Sequence, residues 1–494
     1  MLLHFGAVMF NSTRLVGHPQ SAAEWSRSLR WGVLLIIVAV GAWLRFQNLR
    51  VDSLWHDEAY SWYQSKDSIF DVIRRTAEDT YPPLNNLFLY ASIKLFGDQE
   101  WALRLPSAIF GTANILAIYW LGSITVGRVA ALMAAALLTL SGFHVWYSQE
   151  ARMYALLSLT ATLFVASSLY FVRSPNIQRA AFVSLSGLAL LYSHPFGTLN
   201  WIAIIVAISL FTRTAHHRTA SNRYWVVSNI VAAVCFAPWA WLLKTRAGQL
   251  SGGGFWAPYP SPDIVYDALY GMIGGRLMGG LLFVGVILAL VPARHFSGGE
   301  RASSRSESIS VLVVWASLPI VLALLISLVS TPIFVSRYLI GSLPALLLTG
   351  SYGLTRFVRG RVGFGLVSTF FVAILITSYI RYATAPREDW RGVSAMFDAR
   401  LNSSDCVLVV GSTVPMRYYY RKELPCLLVA ERSGSNAHLQ NIIADRLYFI
   451  SSHGPRLQGD QILEALLSDR WYTRQEYPFH DVRVLELEQK VLQQ

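Results

Sequence analysis

Charge is what this chain has least of: of 494 residues only 14% are Asp, Glu, Lys or Arg, and cysteine occurs three times. A soluble domain usually carries about 25% charged residues, so a water-exposed globular protein of this length is excluded. Three cysteines exclude a disulfide-built scaffold, and the clustered ligand spacing of a structural zinc site is missing. There is no internal repeat. No cleavable signal peptide is evident, because the first apolar run begins at Trp31 and no small-residue cleavage site follows. The first span is therefore expected to act as an uncleaved anchor.

What is present is apolar. Hydrophobic residues make up 54% of the chain and the mean hydropathy is +0.41. They are gathered into runs such as Trp31 to Trp43, Val129 to Leu140, Leu281 to Val291 and Val311 to Val329. A bilayer core takes about 20 such residues per helix. That measure predicts about eleven spans, at 31–48, 103–124, 129–147, 153–173, 179–193, 196–212, 225–243, 271–291, 309–329, 337–357 and 363–382. The apolar stretch Leu84 to Phe96 lies between Pro82-Pro83 and Gly97, and it is too short to cross. It reads as a helix lying in the interface.

The formal net charge of +12 has the sign of a nucleic-acid binder but not its distribution. Arginines recur in alternate loops: Arg14, Arg27 and Arg30, then Arg128, then Arg173 and Arg179, then Arg213, Arg218 and Arg223, with Arg294 to Arg305 and Arg356 to Arg361 later. Short cytoplasmic loops carry such an excess. The pattern predicts a cytoplasmic tail 1–30, a membrane domain 31–382 with a long first external loop 49–102, and an external C-terminal domain 383–494. It implies a multi-pass membrane protein with no nucleic-acid partner. After Tyr382 the apolar runs shorten, and Pro386 to Trp390 reads as a linker. Cys406 to Val410 and Leu447 to Ile450 read as buried strands and Gln461 to Arg470 as a helix, which together predict a small α/β domain. Cys406 and Cys426 could pair there or stand as two core thiols, while Cys235 lies in a span.

Chemistry-bearing residues collect on the external side. Leu54-Trp55-His56-Asp57-Glu58-Ala59-Tyr60-Ser61-Trp62 follows the first span. On a helix Asp57 and Glu58 diverge by about 100°, so one can face a cavity while the other braces a loop. An interfacial aromatic belt with solvated acids is the bland alternative. Trp146 to Tyr154 ends another span; if helical, it places Glu150 and Tyr154 on one face and Arg152 on another. His194-Pro195 and Ser336-Arg337-Tyr338 arrive at the same face. Each has a plain structural reading, but acids and cations from separate loops at one membrane surface suit a site that takes a reactant from the bilayer.

Taken in order, Trp55-His56-Asp57-Glu58-Ala59, Tyr81-Pro82-Pro83-Leu84, Phe96-Gly97, Arg104-Leu105-Pro106-Ser107, Ser148-Gln149-Glu150-Ala151-Arg152-Met153-Tyr154 and Arg337-Tyr338-Leu339 resemble bacterial membrane glycosyltransferases of the C-type fold. More narrowly, they resemble the group related to protein O-mannosyltransferases and to the aminoarabinose transferases that modify lipid A. The resemblance covers the membrane part, about four-fifths of the chain. It departs at Tyr81, where many relatives carry histidine, and weakens over the C-terminal domain. It implies a polytopic helical fold and transfer of a sugar from a polyprenyl-phosphate donor to a hydroxyl on a lipid, polysaccharide or protein of the envelope.

By the same resemblance Asp57 is the catalytic base, with Glu58 beside it holding the loop. A lipid phosphate leaves readily, so one carboxylate for the acceptor proton suffices, but positive charge must face the departing phosphate. Arg152 and Arg337 are the expected cations, ahead of Lys94 and Arg104. Tyr81, Glu150, Tyr154, His194 and Tyr338 are expected to bind substrate. The sequence shows no cofactor, and the resemblance leaves room for a divalent cation at Asp57 or Glu150, since some C-type relatives use one. A lipid-linked-sugar transporter, a non-catalytic assembly subunit and a transferase of glycan blocks are the competing readings.

Overall fold

The computed structural model describes residues 26–211, 218–250, 257–290, 300–357, 376, 380, 382, 387–430, 442–452 and 456–490. The expected span at 363–382 and most of the expected cytoplasmic tail lie outside them. The apolar run after Ser26 forms α1 (Arg27–Phe46), started by the Ser26 side chain accepting the Leu29 amide. Three short helices follow, α2 (His56–Ser65), α3 (Ile69–Ala77) and α4 (Leu84–Phe96), and then the long α5 (Glu100–Thr125). Leu84 to Phe96 is thus a helix with the expected bounds, ended by Gly97 at φ 83°.

The body continues through α6 (Arg128–Leu140), α7 (Gly142–Ser148), α8 (Tyr154–Arg173), α9 (Ile177–Ser193), α10 (Pro195–Phe211), α11 (Arg218–Leu250), α12 (Pro262–Ile273), α13 (Arg276–Leu290) and α14 (Glu300–Val329). A 3-10 turn, Ser336–Ser342, leads into α15 (Leu343–Phe357). α8 is the most enclosed long helix, with 83% of its apolar window buried. Several of its hydroxyls return to their own helix, as when Thr162 donates to Ser158 O. α13 and α15 meet at glycines: a Cβ on Gly353 would stand 1.7 Å from the Gly285 carbonyl oxygen, the close approach small residues permit between membrane helices. On the outside, Leu35, Ile36, Val234, Trp241 and Val329 are exposed, a lipid-facing rather than a water-facing surface.

Among the described residues five helices are long and apolar enough to cross a bilayer, or six if the pair α6 and α7, bent by 61°, is one span. The count of about eleven is not confirmed. The reason is local: α9 and α10 have 17 residues each, and α13 and α15 have 15. At 1.5 Å per residue the 15-residue helices fall short of about 30 Å of hydrocarbon, and the 17-residue ones stand at the lower edge of the spanning range. Gly274-Gly275 and the 3-10 turn shorten the runs expected at 271–291 and 337–357, whereas the break at His194-Pro195 falls where the apolar pattern places it.

The C-terminal domain opens with α16 (Trp390–Arg400), followed by β1 (Cys406–Val410), α17 (Val414–Tyr419), β2 (Leu427–Ala430), β3 (Arg446–Ser452), α18 (Arg456–Asp469), β4 (Trp471–Phe479) and β5 (Val482–Gln489). The sheet order is β2-β1-β3-β5-β4, parallel from β2 to β3 and antiparallel beyond. β1 is a continuous apolar strand because both its faces are covered. Leu408 packs with Ile462 and Leu466 of α18, whereas Val407 and Val409 pack with Trp390 and Phe397 of α16. Cys406 and Cys426 form a disulfide, Cα to Cα 4.5 Å, across 20 residues. Closing a loop of this size is worth about 3 kcal/mol. Cys406→Ser with Cys426→Ser is therefore expected to speed amide exchange in β1 and β3 by about two orders of magnitude, while α8 stays unchanged. Equal protection in both proteins would show that the bridge is not a support.

The domain sits on the segment between α1 and α5. Tyr418 stacks edge-on against Trp62 at 5.0 Å and donates to Asp98 O, and the Leu54 amide donates to the Tyr419 hydroxyl at 2.6 Å. Glu388, in the linker, accepts the His56 amide and the Trp390 indole.

Candidate active site

The helix α2 begins at His56, so Asp57 and Glu58 lie in its first turn, where an acid is favoured by the helix dipole. Their divergence by one residue sends them to different neighbours. Glu58 is fully buried. Arg104 from α5 grips it with two bonds, Nε to Oε1 at 2.8 Å and Nη2 to Oε2 at 2.7 Å. The Ala151 amide donates to Oε1 at 2.8 Å, and Arg387 approaches Oε2 at 3.4 Å. Burial alone would raise its pKa, but the Arg104 and Arg387 charges and these bonds hold it below the usual carboxylate value. A carboxylate so saturated braces the segment and has little capacity to accept a proton.

Asp57 turns the other way. Its Oδ2 faces Arg337 Nη2 at 3.8 Å and Arg152 Nη2 at 4.0 Å, both beyond hydrogen-bond length. Arg152 is held from behind: Nη1 donates to Ser61 Oγ at 3.0 Å and to Asp57 O at 3.3 Å, and Ser107 donates to its carbonyl. Its guanidinium lies 5.0 Å over the Tyr81 ring, and that of Arg337 lies 5.9 Å over the Tyr154 ring. Tyr81 and Tyr338 join hydroxyl to hydroxyl at 3.0 Å. Two cations facing one carboxylate leave the place net positive, as a phosphate requires.

Around them, buried polar atoms stand without a hydrogen-bond partner among the described residues: Glu150 Oε2, Arg152 Nε, Tyr154 OH and His194 Nε2. Orphans of this kind are rare unless a site needs them. His194 Nδ1 accepts the Phe196 amide at 3.0 Å, so the neutral ring carries its proton on Nε2, the orphaned atom. Burial first, and then the charges of Arg152 and Arg337, keep this imidazole well below its ordinary pKa. It is a fixed neutral donor packed 5.0 Å from the Tyr338 ring.

The segment 149–153 is a bend and not a helix, which corrects the face-sharing expected of Glu150 and Tyr154. Glu58 takes the Ala151 amide that a helix would have used. Arg104 is corrected as a phosphate ligand, since all its donors are committed to Glu58 and to the carbonyls of Leu49, Asp52 and Ser53. Lys94 lies exposed over the Tyr90 ring, 5.3 Å away.

Sequence reasoning missed Arg387, which sits in the linker, donates toward Gln149 O and stacks 4.3 Å from the Trp146 ring. It also missed Asn85, four residues beyond Tyr81, whose fully buried amide has no partner on either atom among the described residues. An amide following Pro-Pro at a helix start was the available signal. A divalent cation does not fit: among the described residues no three His, Cys, Asp or Glu side chains gather, and Asp57 is faced by guanidinium groups.

Glu150 is 2% exposed. Burial, aided by the charges of Glu58 and Asp57 against those of Arg387 and Arg337, pushes its carboxyl from 4.5 up to about 7. The folded protein keeps this proton until about pH 7, whereas the unfolded chain releases it near 4.5. Folding stability therefore falls as pH rises through that window, by roughly 3 kcal/mol in all, and the loss is complete above it. Glu150→Gln is expected to lack this decline in thermal midpoints taken from pH 4.5 to 8. Parallel profiles for the two proteins would remove the assignment.

The arrangement as a whole is the C-type glycosyltransferase fold, and the chain is a multi-pass membrane protein. It superposes on apo ArnT from Cupriavidus metallidurans with a TM-score of 0.59 and 15% identity, covering 92% of this chain and 98% of that one. The same protein bound to undecaprenyl phosphate gives 0.57 and 14% over the same shares. The oligosaccharyltransferase of Archaeoglobus fulgidus, in complex with zinc and sulfate, gives 0.54 and 12%, covering 91% and 73%. No curated protein matches the sequence. More particularly, residues 80–241 match the family model described as dolichyl-phosphate-mannose-protein mannosyltransferase, which relates this part of the chain to the mannosyltransferase and aminoarabinose transferase group.

Proposed function

We propose that this protein transfers a sugar from a polyprenyl-phosphate-linked donor to a hydroxyl of an envelope lipid, glycan or protein, with inversion at the anomeric carbon. The observation that carries the reading is the convergence of Asp57, Arg152 and Arg337, from three distant stretches of chain, among buried polar atoms that lack partners. Asp57 takes the proton of the acceptor hydroxyl while that oxygen bonds to the anomeric carbon. The bond from that carbon to the phosphate oxygen breaks, and its electron pair leaves with the lipid phosphate. Arg152 and Arg337 stabilise the charge that gathers there. Tyr81, Asn85, Glu150, Tyr154, His194 and Tyr338 supply donors and acceptors for sugar and phosphate oxygens, and Glu58 holds the loop.

The same reading includes a multi-pass placement in a bacterial inner membrane, with the N terminus cytoplasmic and the site and C-terminal domain outside. Support comes from the alternating arginines and from the Cys406–Cys426 disulfide, which persists in oxidising compartments. The test is transfer of radiolabelled sugar by the purified protein in proteoliposomes, using a panel of polyprenyl-phosphate sugars and extracted envelope acceptors. Transfer with an inverted anomer is expected. Absence of transfer across the panel, with flipping of the donor lipid between leaflets, would replace the reading by a transporter.

A further inference from the structure

Arg45 lies in the last turn of α1, inside the membrane body, and is fully buried. A cation there is costly unless it does something, and among the described residues no carboxylate pairs with it. Its guanidinium instead closes the open end of another helix. Nη2 donates to Leu138 O at 3.0 Å and Nη1 to Thr139 O at 3.3 Å, the carbonyls that α6 exposes where the chain breaks at Ser141 before α7. It also reaches Gly41 O and His144 Nδ1, each at 3.0 Å. Space for it depends on glycine: a Cβ on Gly111 would stand 2.1 Å from Ser148 Oγ and 3.0 Å from Arg45 Nε.

The return contact comes from the far end of the same bend. Gln149, directly after α7, donates from Nε2 to Leu44 O at 2.8 Å and Gln47 O at 2.9 Å, the terminal carbonyls of α1. Each helix end is thus capped by a side chain of the other segment. The residues following Gln149 are Glu150, Ala151, whose amide holds Glu58, and Arg152, which faces Asp57.

We propose that Arg45 and Gln149 are positioning residues: a reciprocal clasp that fixes the 149–152 bend, and so the distance of Arg152 from Asp57. Neither touches the reacting atoms. Its kinetic consequence rests on the transfer reaction proposed above, and displacement of a reacting group by about 1 Å can cost about 100-fold in rate.

The full-length protein in detergent tests this by hydrogen exchange, which needs no activity, together with transfer kinetics. In Gln149→Ala the amides of 149–152 are expected to exchange at least about tenfold faster while the middle of α8 stays protected. The kcat is expected to fall about 30- to 100-fold, with the donor KM changed less than about threefold. Arg45→Met is expected to do the same or more, and Arg45→Lys, which can still reach the carbonyls, to recover part of the protection. Should Arg45→Met fail to fold, Gln149→Ala still decides. Unchanged exchange at 149–152 in Gln149→Ala overturns the clasp, and faster exchange with unchanged kcat overturns its positioning role. If the wild type transfers no sugar, the functional reading fails, and exchange alone judges the clasp.

Discussion

Replacing Asp57 by Asn is expected to lower kcat for sugar transfer by about three orders of magnitude while leaving the protein folded and its carrier-lipid binding intact. A positioned base contributes roughly 10² to 10⁴ in rate. Asn keeps the shape of Asp57 but cannot take the acceptor proton. Arg152 keeps its bond to Ser61 Oγ in the variant, and the ion contacts that Asp57 loses are long, at 3.8 and 4.0 Å. Removing the negative charge also takes one competitor for a phosphate away from Arg152 and Arg337, so undecaprenyl phosphate should bind the variant at least as tightly as the wild type. The decisive pair of measurements is kcat and the Kd for undecaprenyl phosphate. A variant with weakened lipid binding and unaltered kcat would move Asp57 from proton acceptor to binding group.

Arg104→Met is expected to destabilise the protein by about 3 to 5 kcal/mol, the cost of leaving a buried charge without its partner. Glu58 is wholly inaccessible and Arg104 nearly so. The arginine also ties Leu49 O, Asp52 O and Ser53 O, so its loss frees the connection from α1 to α2. Lysine at this position supplies three donors in place of a planar fork and should rescue little. Arg104→Met combined with Glu58→Gln should recover part of the loss, since the stranded charge is then gone. Thermal unfolding of the wild type, Arg104→Met, Glu58→Gln and the double variant forms a double-mutant cycle, and additive losses would mean that the pair is not coupled.

These two expectations treat neighbouring acids differently, and that distinction was partly legible in sequence. Adjacent residues on a helix diverge by about 100°, which separates a brace from a reactive group without saying which is which. Tertiary contacts divide the roles: both oxygens of Glu58 are bonded, whereas Asp57 meets its cations only at longer range. Arg152 and Arg337 were legible because they follow turns at the expected external ends of helices. Arg387, Gln149 and Arg45 were not, because an arginine in a linker, a glutamine in a bend and an arginine at a span end each have an ordinary local explanation. Their partners lie 329, 102 to 105 and 93 to 99 positions away.

By itself the sequence determined the solvent and the punctuation. Its scarcity of charge demands a bilayer, its apolar runs become helices, and the continuous apolar stretch Cys406 to Val410 becomes a strand covered on both faces, because transfer from water depends only on local composition and period. Only the tertiary structure decided where α13 and α15 begin, that Cys406 meets Cys426, and that one acid is clamped while its neighbour faces two arginines. Hydrogen bonds and ion pairs act over about 3 to 4 Å, and which groups come that close is settled by packing, not by order along the chain.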